Sequence, residues 1–551
     1  MAHDGLKLTE AVTAAVEGLF AHQRGDGTFA PSHSRYSPAH SALALIALHL
    51  TSPEDPDGLI ARGIAQLCRS QRFDGGWASH HFGSEVLPTA LAADALRLID
   101  PVRAAPAIEA AGRLLSRIGR PEDTLIATPV SGSRTAPRAR AATRWAHVPP
   151  LPVQPDGAVR RLGLRLPAFT ELVLGSEPHH RDRSVHRALR ARARSSAAAL
   201  VRQIYEREGA TGSFAADPML TSQICIGLVR SGLAPDIVRA SVGWLREVSS
   251  VEGGWSHAPL AVRWTSLASS ALTAAGVGGD PRLAHTVAAL SRAQQTRFSA
   301  LGIPAGGWCS AGTPGWPTVL DTAETVTALS GLPAAEHWTS MRQGADWLRS
   351  QQSSAGSWSF AVHGIAPGDR IPCAQLTARA VCALIAAGAP AGSAQVRKAL
   401  RWLDKQQERT GAFKAMWYRG STIATGSVVE AYARAGAKSS VTFRRGFDWL
   451  LATQREDGSW SAGESVGVST VEETSVALRA LLAAGLPVYA PEALRAARWL
   501  LHRQRTDGMW RGEPVHEHVR LQYRYADDLM ATALALRALG ALCTPAHGAA
   551  K

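Results

Sequence analysis

Residues Arg444–Trp460 read RRGFDWLLATQREDGSW, and the arrangement returns as AARWLLHRQRTDGMW ending at Trp510, RQGADWLRSQQSSAGSW at Trp358 and KALRWLDKQQERTGAF at Phe413. Near the N-terminus, RGIAQLCRSQRFDGGW closes at Trp77, and weaker copies end at Phe29, Phe214, Trp255 and Trp308. Each copy has a basic helix start, an aromatic-aliphatic pair, Gln, a polar stretch with Gly, then an aromatic ring. The apolar stretches that follow, such as ETVTALSGL, TSVALRALLAAG and MATALALRALGAL, carry Ala and Leu at three- and four-residue spacing, which predicts helices. Stretches with the two-residue period of strands are nearly missing. In the C-terminal half the aromatic ends fall about 50 residues apart, enough for two helices and their connections per unit.

A Gln at the end of one helix is placed to hydrogen-bond backbone groups at the start of the next, and the ring after the Gly turn packs across the junction. Most of the 16 Trp are therefore read as packing residues. With 551 residues, 46 % hydrophobic and 19 % charged, the chain has the length for several cores, and its composition excludes wholesale disorder and fibrous repeats.

Lys and Arg exceed Asp and Glu by 14, which points to an anionic partner. Nine of those charges come from residues 131–200, where 13 Arg accompany only Asp156, Glu171, Glu177 and Asp182. This stretch includes the Pro-rich VPPLPVQPDG and the apolar LGLRLPAF, suited to peripheral contact with an anionic lipid surface or to a diphosphate entry. No nucleic-acid module is recognisable. The six Cys contain no CxxC pair, no apolar run reaches 18 residues, and the N-terminus lacks a secretory pattern, so a cytoplasmic, at most membrane-associated, protein is expected. His516-Glu517-His518, taken as helical, is discounted as a metal site because i,i+2 ligands diverge there.

Taken together, the QxxDGxW units resemble the QW motifs of squalene–hopene cyclases, oxidosqualene cyclases and bacterial class II diterpene cyclases over essentially the whole chain. The resemblance implies an all-α protein of two α/α barrel domains, the β and γ domains of class II terpene cyclases. Residues 1–22 and 296–551 are expected to form the C-terminal barrel, and 23–295 the inserted one. Protein prenyltransferase β subunits and thioester domains share such repeats, but their Asp-x-Cys zinc pattern and Cys-Gly-Glu-Gln stretch are missing.

Class II cyclases protonate an alkene with a shielded carboxylic acid in a DxDDTA motif. Here the aligned segment is PAGGWCSAGTPGWPTVLDTAETVTAL, Pro304–Leu329, with the flanks kept and the acids changed. Thr318 stands at the first Asp, Leu320 at the catalytic Asp, and only Asp321 survives. The His that supports the acid in squalene–hopene cyclases corresponds to Arg379. The resemblance therefore implies a non-standard initiation, for which Asp321 and Glu324 are the expected acid pair, the pKa of a buried Glu324 being raised by desolvation and by its neighbour. Arg379 is expected to partner them or to anchor an anion such as a diphosphate. Trp264, Trp316, Trp417, Tyr523 and Tyr525 match the aromatic wall, whose ring faces stabilise carbocations. Glu472-Glu473 and Asp527-Asp528 echo the acidic motif in other repeats, and adjacent carboxylates on a helix read as a solvated face plus a cap.

The expected substrate is a linear isoprenoid, a prenyl diphosphate or prenylated small molecule. No cofactor or protein metal site is expected, with Mg2+ entering only alongside a diphosphate. The alternatives are a non-catalytic isoprenoid-binding homologue and a cyclase acting on an epoxidised or otherwise functionalised terpenoid.

Overall fold

The computed structural model describes residues 2–118 and 184–543, apart from 32–35, 81–82, 258, 298–302, 313–314, 334–336, 360–371, 464–466 and 520–522. The repeat is a three-way clasp. Its Gln amide, at the end of an outer helix, donates to the Gly carbonyl of its own turn and to a carbonyl in the first turn of the next outer helix: Gln454 Nε2 to Gly458 at 3.0 Å and Glu492 at 2.8 Å, Gln352 Nε2 to Gly356 and Gln395 at 3.0 Å each. Its indole donates back to the outer helix just left, as Trp460 Nε1 does to the Leu450 carbonyl at 2.8 Å. Its backbone N–H donates to a Thr at the start of the following inner helix, Trp460 to Thr474 Oγ1 at 3.0 Å. Gly458 turns at φ +91°, and a Cβ there would collide with the Arg495 carbonyl, so the neighbouring helix can sit this close only over glycine. All nine repeat aromatics, from Phe29 to Trp510, are buried.

The clasps generate two layers. Inner helices α9 (Ala261–Ala274), α11 (Val319–Ser330), α13 (Ala374–Ala386), α15 (Thr422–Arg434), α17 (Val471–Ala484) and α19 (Asp528–Cys543) pack each against the next, and α19 closes on α9. Outside them lie α10 (Leu283–Arg292), α12 (Trp338–Ser350), α14 (Ala394–Asp404), α16 (Val441–Ala452), α18 (Pro491–Leu501) and, completing the layer behind α19, α1 (Ala2–Phe20). The outer helices bury one stripe, whereas the inner ones are buried along almost their full length, as their Ala-rich sequences allow. Helices α9 and α10 lie within 23–295 of the sequence-based division, yet they pack in this larger ring. The repeat ending at Phe29 closes on Thr265 of α9, with Phe29 N–H to Thr265 Oγ1 at 2.9 Å, and so ties them to α1.

A smaller helical unit holds α2 (Pro38–Thr51) between α4 (Val86–Ile99) and α7 (Pro218–Ser231), backed by α3 (Leu59–Arg69), α5 (Ala105–Ile118) and α8 (Pro235–Glu247). Helix α6 (Ser184–Arg207) places Ala197, Leu200, Val201 and Ile204 in the core of the larger ring. Two short antiparallel strands, β1 (His516–Val519) and β2 (Tyr523–Tyr525), lie at the junction of the two units. His516 and Glu517 are therefore on a strand, correcting the helical reading, and no metal-ligand cluster occurs among the described residues. No described helix is long and apolar enough to cross a membrane. Most of the Arg-rich stretch, including Arg134–Arg183, lies outside the described residues, as do the side chains of Arg187, Arg190, Arg192 and Arg194.

Candidate active site at the mouth and in the lumen of the ring

Asp321 is fully buried in the first turn of α11. Thr318 caps that helix, accepting the Asp321 N–H at 3.0 Å while its hydroxyl donates to Asp321 Oδ2 at 2.6 Å. Arg263 Nε of α9 donates to Oδ1 at 2.8 Å and Ser310 Oγ to Oδ2 at 2.7 Å. Thr322 accepts the Trp308 N–H, which makes it the clasp threonine of this repeat. Of the aligned segment, then, Thr318 caps, Asp321 anchors Arg263, Thr322 holds the repeat together, and Leu320 fills the acid position with a buried hydrocarbon.

One turn deeper, Glu324 receives both prongs of Arg379 from α13, Nε to Oε1 and Nη2 to Oε2 at 2.7 Å each. Arg537 of α19 comes within 3.6 Å of Oε2. Helix α9 stands between α11 and α19 in the ring, so this last contact crosses the lumen. Arg379 also reaches Glu430 of α15 at 3.5 Å, and Glu430 takes Arg434 and Arg479 at 2.9 Å each. Burial works to raise the Glu324 pKa, but Arg379 and Arg537 outweigh it and hold the carboxyl below its ordinary value. The rise expected from sequence is reversed, because the pair Asp321 and Glu324 is divided between two guanidinium partners. Glu430 is held well below its ordinary value by the arginines around it. With two carboxylates among Arg379, Arg434, Arg479 and Arg537, this layer is cation-rich. Burial and then the like charges of Arg479 and Arg379 bring the Arg537 pKa down to about 9.

The mouth is aromatic. Tyr525 stacks on His516 at 5.3 Å and 22°, and His257 stacks on Tyr523 at 5.6 Å and 20°. The Tyr523 hydroxyl bonds Ser37 Oγ at 2.7 Å, Ser79 Oγ at 2.9 Å and His257 Nδ1 at 3.1 Å, tying the smaller unit to the ring. Tyr525 faces Arg263 at 3.5 Å, and Trp264 Nε1 donates to Asp527 Oδ2 at 2.5 Å. Burial, with Arg263 nearby, pushes the His516 pKa down to about 3, so its ring is neutral at physiological pH. Trp316 and Trp417 are half-buried against the same core. Trp417 belongs to a segment paired with β1: Glu517 N–H donates to the Trp417 carbonyl and Arg419 N–H to the Val515 carbonyl, both at 3.0 Å.

Sequence reading passed over the next pair of residues. Glu472 and Glu473, read as a solvated face, are both fully buried at the start of α17. Glu473 is the counterpart of Asp321: the Thr470 hydroxyl donates to it at 2.8 Å, and Arg419 grips it at 2.9 and 2.7 Å. Glu472 has no guanidinium partner. Its Oε1 accepts the Glu513 N–H at 2.9 Å, and Oε2 has no hydrogen-bond partner among the described residues. Burial, reinforced by the charges of Glu473 and Glu513, raises its pKa well above the ordinary value. The available signal was the pentapeptide Thr-Val-Glu-Glu-Thr ending on a clasp threonine, which fixes it on an inner helix.

A closed double layer of helices with an aromatic mouth and a charged lumen is the architecture of class II terpene cyclases. Residues 302–425 and 413–546 match the squalene-hopene cyclase C-terminal domain. The C-terminal ring belongs to this family of class II terpene cyclases. A squalene–hopene cyclase of Bradyrhizobium diazoefficiens is 27 % identical over 35 % of this chain and 34 % of its own length. An ent-copalyl diphosphate synthase of Streptomyces sp. strain KO-3988 is 30 % identical over 37 % of this chain and 43 % of its own. The aligned part thus spans about a third to two-fifths of these curated relatives. The solved ent-copalyl diphosphate synthase of Streptomyces platensis superimposes with a TM-score of 0.59 and 20 % identity, covering 97 % of this chain and 99 % of that one, a likeness in fold.

Proposed function

We propose that the protein is a terpene cyclase that folds a linear isoprenoid, a prenyl diphosphate or prenylated small molecule, at the mouth of the ring and closes its rings through carbocations. The observation that carries this reading is the aromatic mouth, where Tyr523, Tyr525, His257 and the neutral His516 stack at the junction of the two units. Aromatic faces attract a migrating cation through their quadrupoles, and the neutral imidazole adds no repelling charge. Trp264, Trp316 and Trp417 complete the wall in this proposal. The ent-copalyl diphosphate synthase relatives favour a diphosphate-bearing substrate, with Mg2+ arriving as part of it and no other cofactor.

Initiation is non-standard in this reading, since Leu320 cannot donate a proton. Asp321 and Glu324, both accepting from guanidinium groups, serve as the anionic partners that fix Arg263 and Arg379 along the lumen wall. Incubation with C15, C20 and C30 linear prenyl substrates, products read by mass spectrometry, tests the proposal. Cyclised product from one of them is expected. Tight binding of a prenyl substrate without turnover would instead identify an isoprenoid-binding homologue.

A further inference from the structure

Two inner helices of the ring begin with the same local construction. Thr318-Val319-Leu320-Asp321-Thr322 opens α11 and Thr470-Val471-Glu472-Glu473-Thr474 opens α17. In both, the first Thr caps the helix and donates to the fourth residue, an Arg from another segment grips that fourth residue, and the last Thr takes the N–H of the repeat tryptophan. The third residues therefore occupy equivalent stations, two before the clasp threonine and one turn above Glu324 or Val476 on the same helix face. In α11 that station holds Leu320, and in α17 it holds Glu472.

Resting on the cyclase reading above, we propose that Glu472 is the proton donor that starts the cyclisation, the acid of this ring being carried by α17 in place of α11. The carboxyl is fully buried, its carbonyl oxygen is fixed by the Glu513 N–H, and its hydroxyl oxygen has nothing in the described structure to donate to. A neutral acid with an unused O–H, facing an alkene, is what protonation requires. The segment that fixes it, Glu513–Glu517, also carries His516 and pairs with Trp417–Arg419, so the acid lies beneath the aromatic mouth. The proton environment fits as well, since no guanidinium competes for the carboxylate as Arg379 does at Glu324.

In the step, the Glu472 O–H bond breaks while the π pair of the terminal alkene forms a C–H bond with that proton, leaving a tertiary cation on the adjacent carbon. Each following alkene donates its π pair to make a ring C–C bond and passes the positive charge along. The last cation loses a proton to water, and the Glu472 carboxylate is reprotonated from water. No oxidant or reductant is needed.

Two readouts test the assignment in the full-length protein. Infrared difference spectra of wild type and Glu472→Gln at pH 7 read the carbonyl stretch of a protonated carboxylic acid, which wild type is expected to show and the variant to lack. Turnover of the C15, C20 and C30 substrates is expected to fall about 10²- to 10⁴-fold in Glu472→Gln. Glu472→Asp keeps a proton on a shorter arm and is expected to retain part of the turnover and the band, which secures the test if the Gln variant folds poorly. Turnover within threefold of wild type in Glu472→Gln, or no protonated-acid band in wild type, overturns the proposal and leaves the cyclase reading standing. Wild type that turns over none of the substrates overturns the cyclase reading and this proposal with it.

Discussion

Glu324 and Glu472 are buried carboxyls of inner helices in one ring, and their surroundings drive them apart. Glu324 sits in a lumen layer of four arginines, receives both prongs of Arg379 and is held below its ordinary pKa. Glu472 sits at the mouth with one backbone N–H and is pushed well above it. The same side chain becomes a fixed anion or a stored proton according to whether a guanidinium reaches it. Position relative to the old acid motif is a poor guide to which is which, since Glu324 lies beside that motif and Glu472 lies three helices further round the ring.

The comparison breaks most visibly at Glu324. Glu324→Ala leaves Arg379 and Arg537 facing each other across the lumen, and removing one partner of a buried pair costs about 3–5 kcal/mol. Thermal unfolding should show this as a large fall in midpoint, and an unchanged midpoint would mean that the layer is hydrated and weakly coupled. The pH dependence carries the same contrast. Glu324 and Glu430 are depressed below 4.5, so the stability they contribute is full above that value and is lost as the pH falls through their folded pKa values. Acid unfolding should therefore begin below pH 4.5, and Glu430→Gln should flatten it.

The clasp gives a smaller effect. Thr474→Val keeps shape but strands the buried Trp460 N–H, at a cost of about 1–3 kcal/mol measurable by urea unfolding. Tyr523→Phe removes the hydroxyl bonded to Ser37, Ser79 and His257, which should cost about 1 kcal/mol and loosen hydrogen-exchange protection where the smaller unit meets the ring. At Glu472 the sign inverts. A group whose folded pKa is raised lends stability at low pH and loses it as the pH climbs to that pKa. Glu472→Gln should therefore match wild type near pH 4 and exceed it in thermal midpoint by a margin that grows toward alkaline pH.

The helical ring was legible in the sequence because its clasp repeats Gln, Gly and Trp at fixed spacing, and each does one irreplaceable thing: two amide hydrogens, a positive φ, an indole. The clasp threonine escaped notice because Thr is ordinary on a helix, and at Thr322 it was read as part of an acid motif instead of a structural repeat. Arg379 was found with its correct partner class, since a lone Arg in an apolar helix demands a carboxylate. Glu472 was missed for the opposite reason. Adjacent glutamates are usually solvated, and only closure of six helices into a ring, which no local pattern encodes, buries both and withholds a cation from one. The alternation around Tyr523 and Tyr525 marked aromatic-wall candidates without showing that the Tyr523 hydroxyl bonds the smaller unit.

The central claim is that the reaction begins with a proton delivered at the mouth of the ring. It is tested most directly by running the turnover of a C20 prenyl diphosphate in D2O and locating the label by NMR and mass spectrometry. Initiation from Glu472, whose acidic hydrogen exchanges with solvent, predicts one deuterium on the carbon at the alkene end remote from the diphosphate, with the diphosphate retained in the product. A cyclised product with no deuterium at that carbon and with diphosphate released would contradict it.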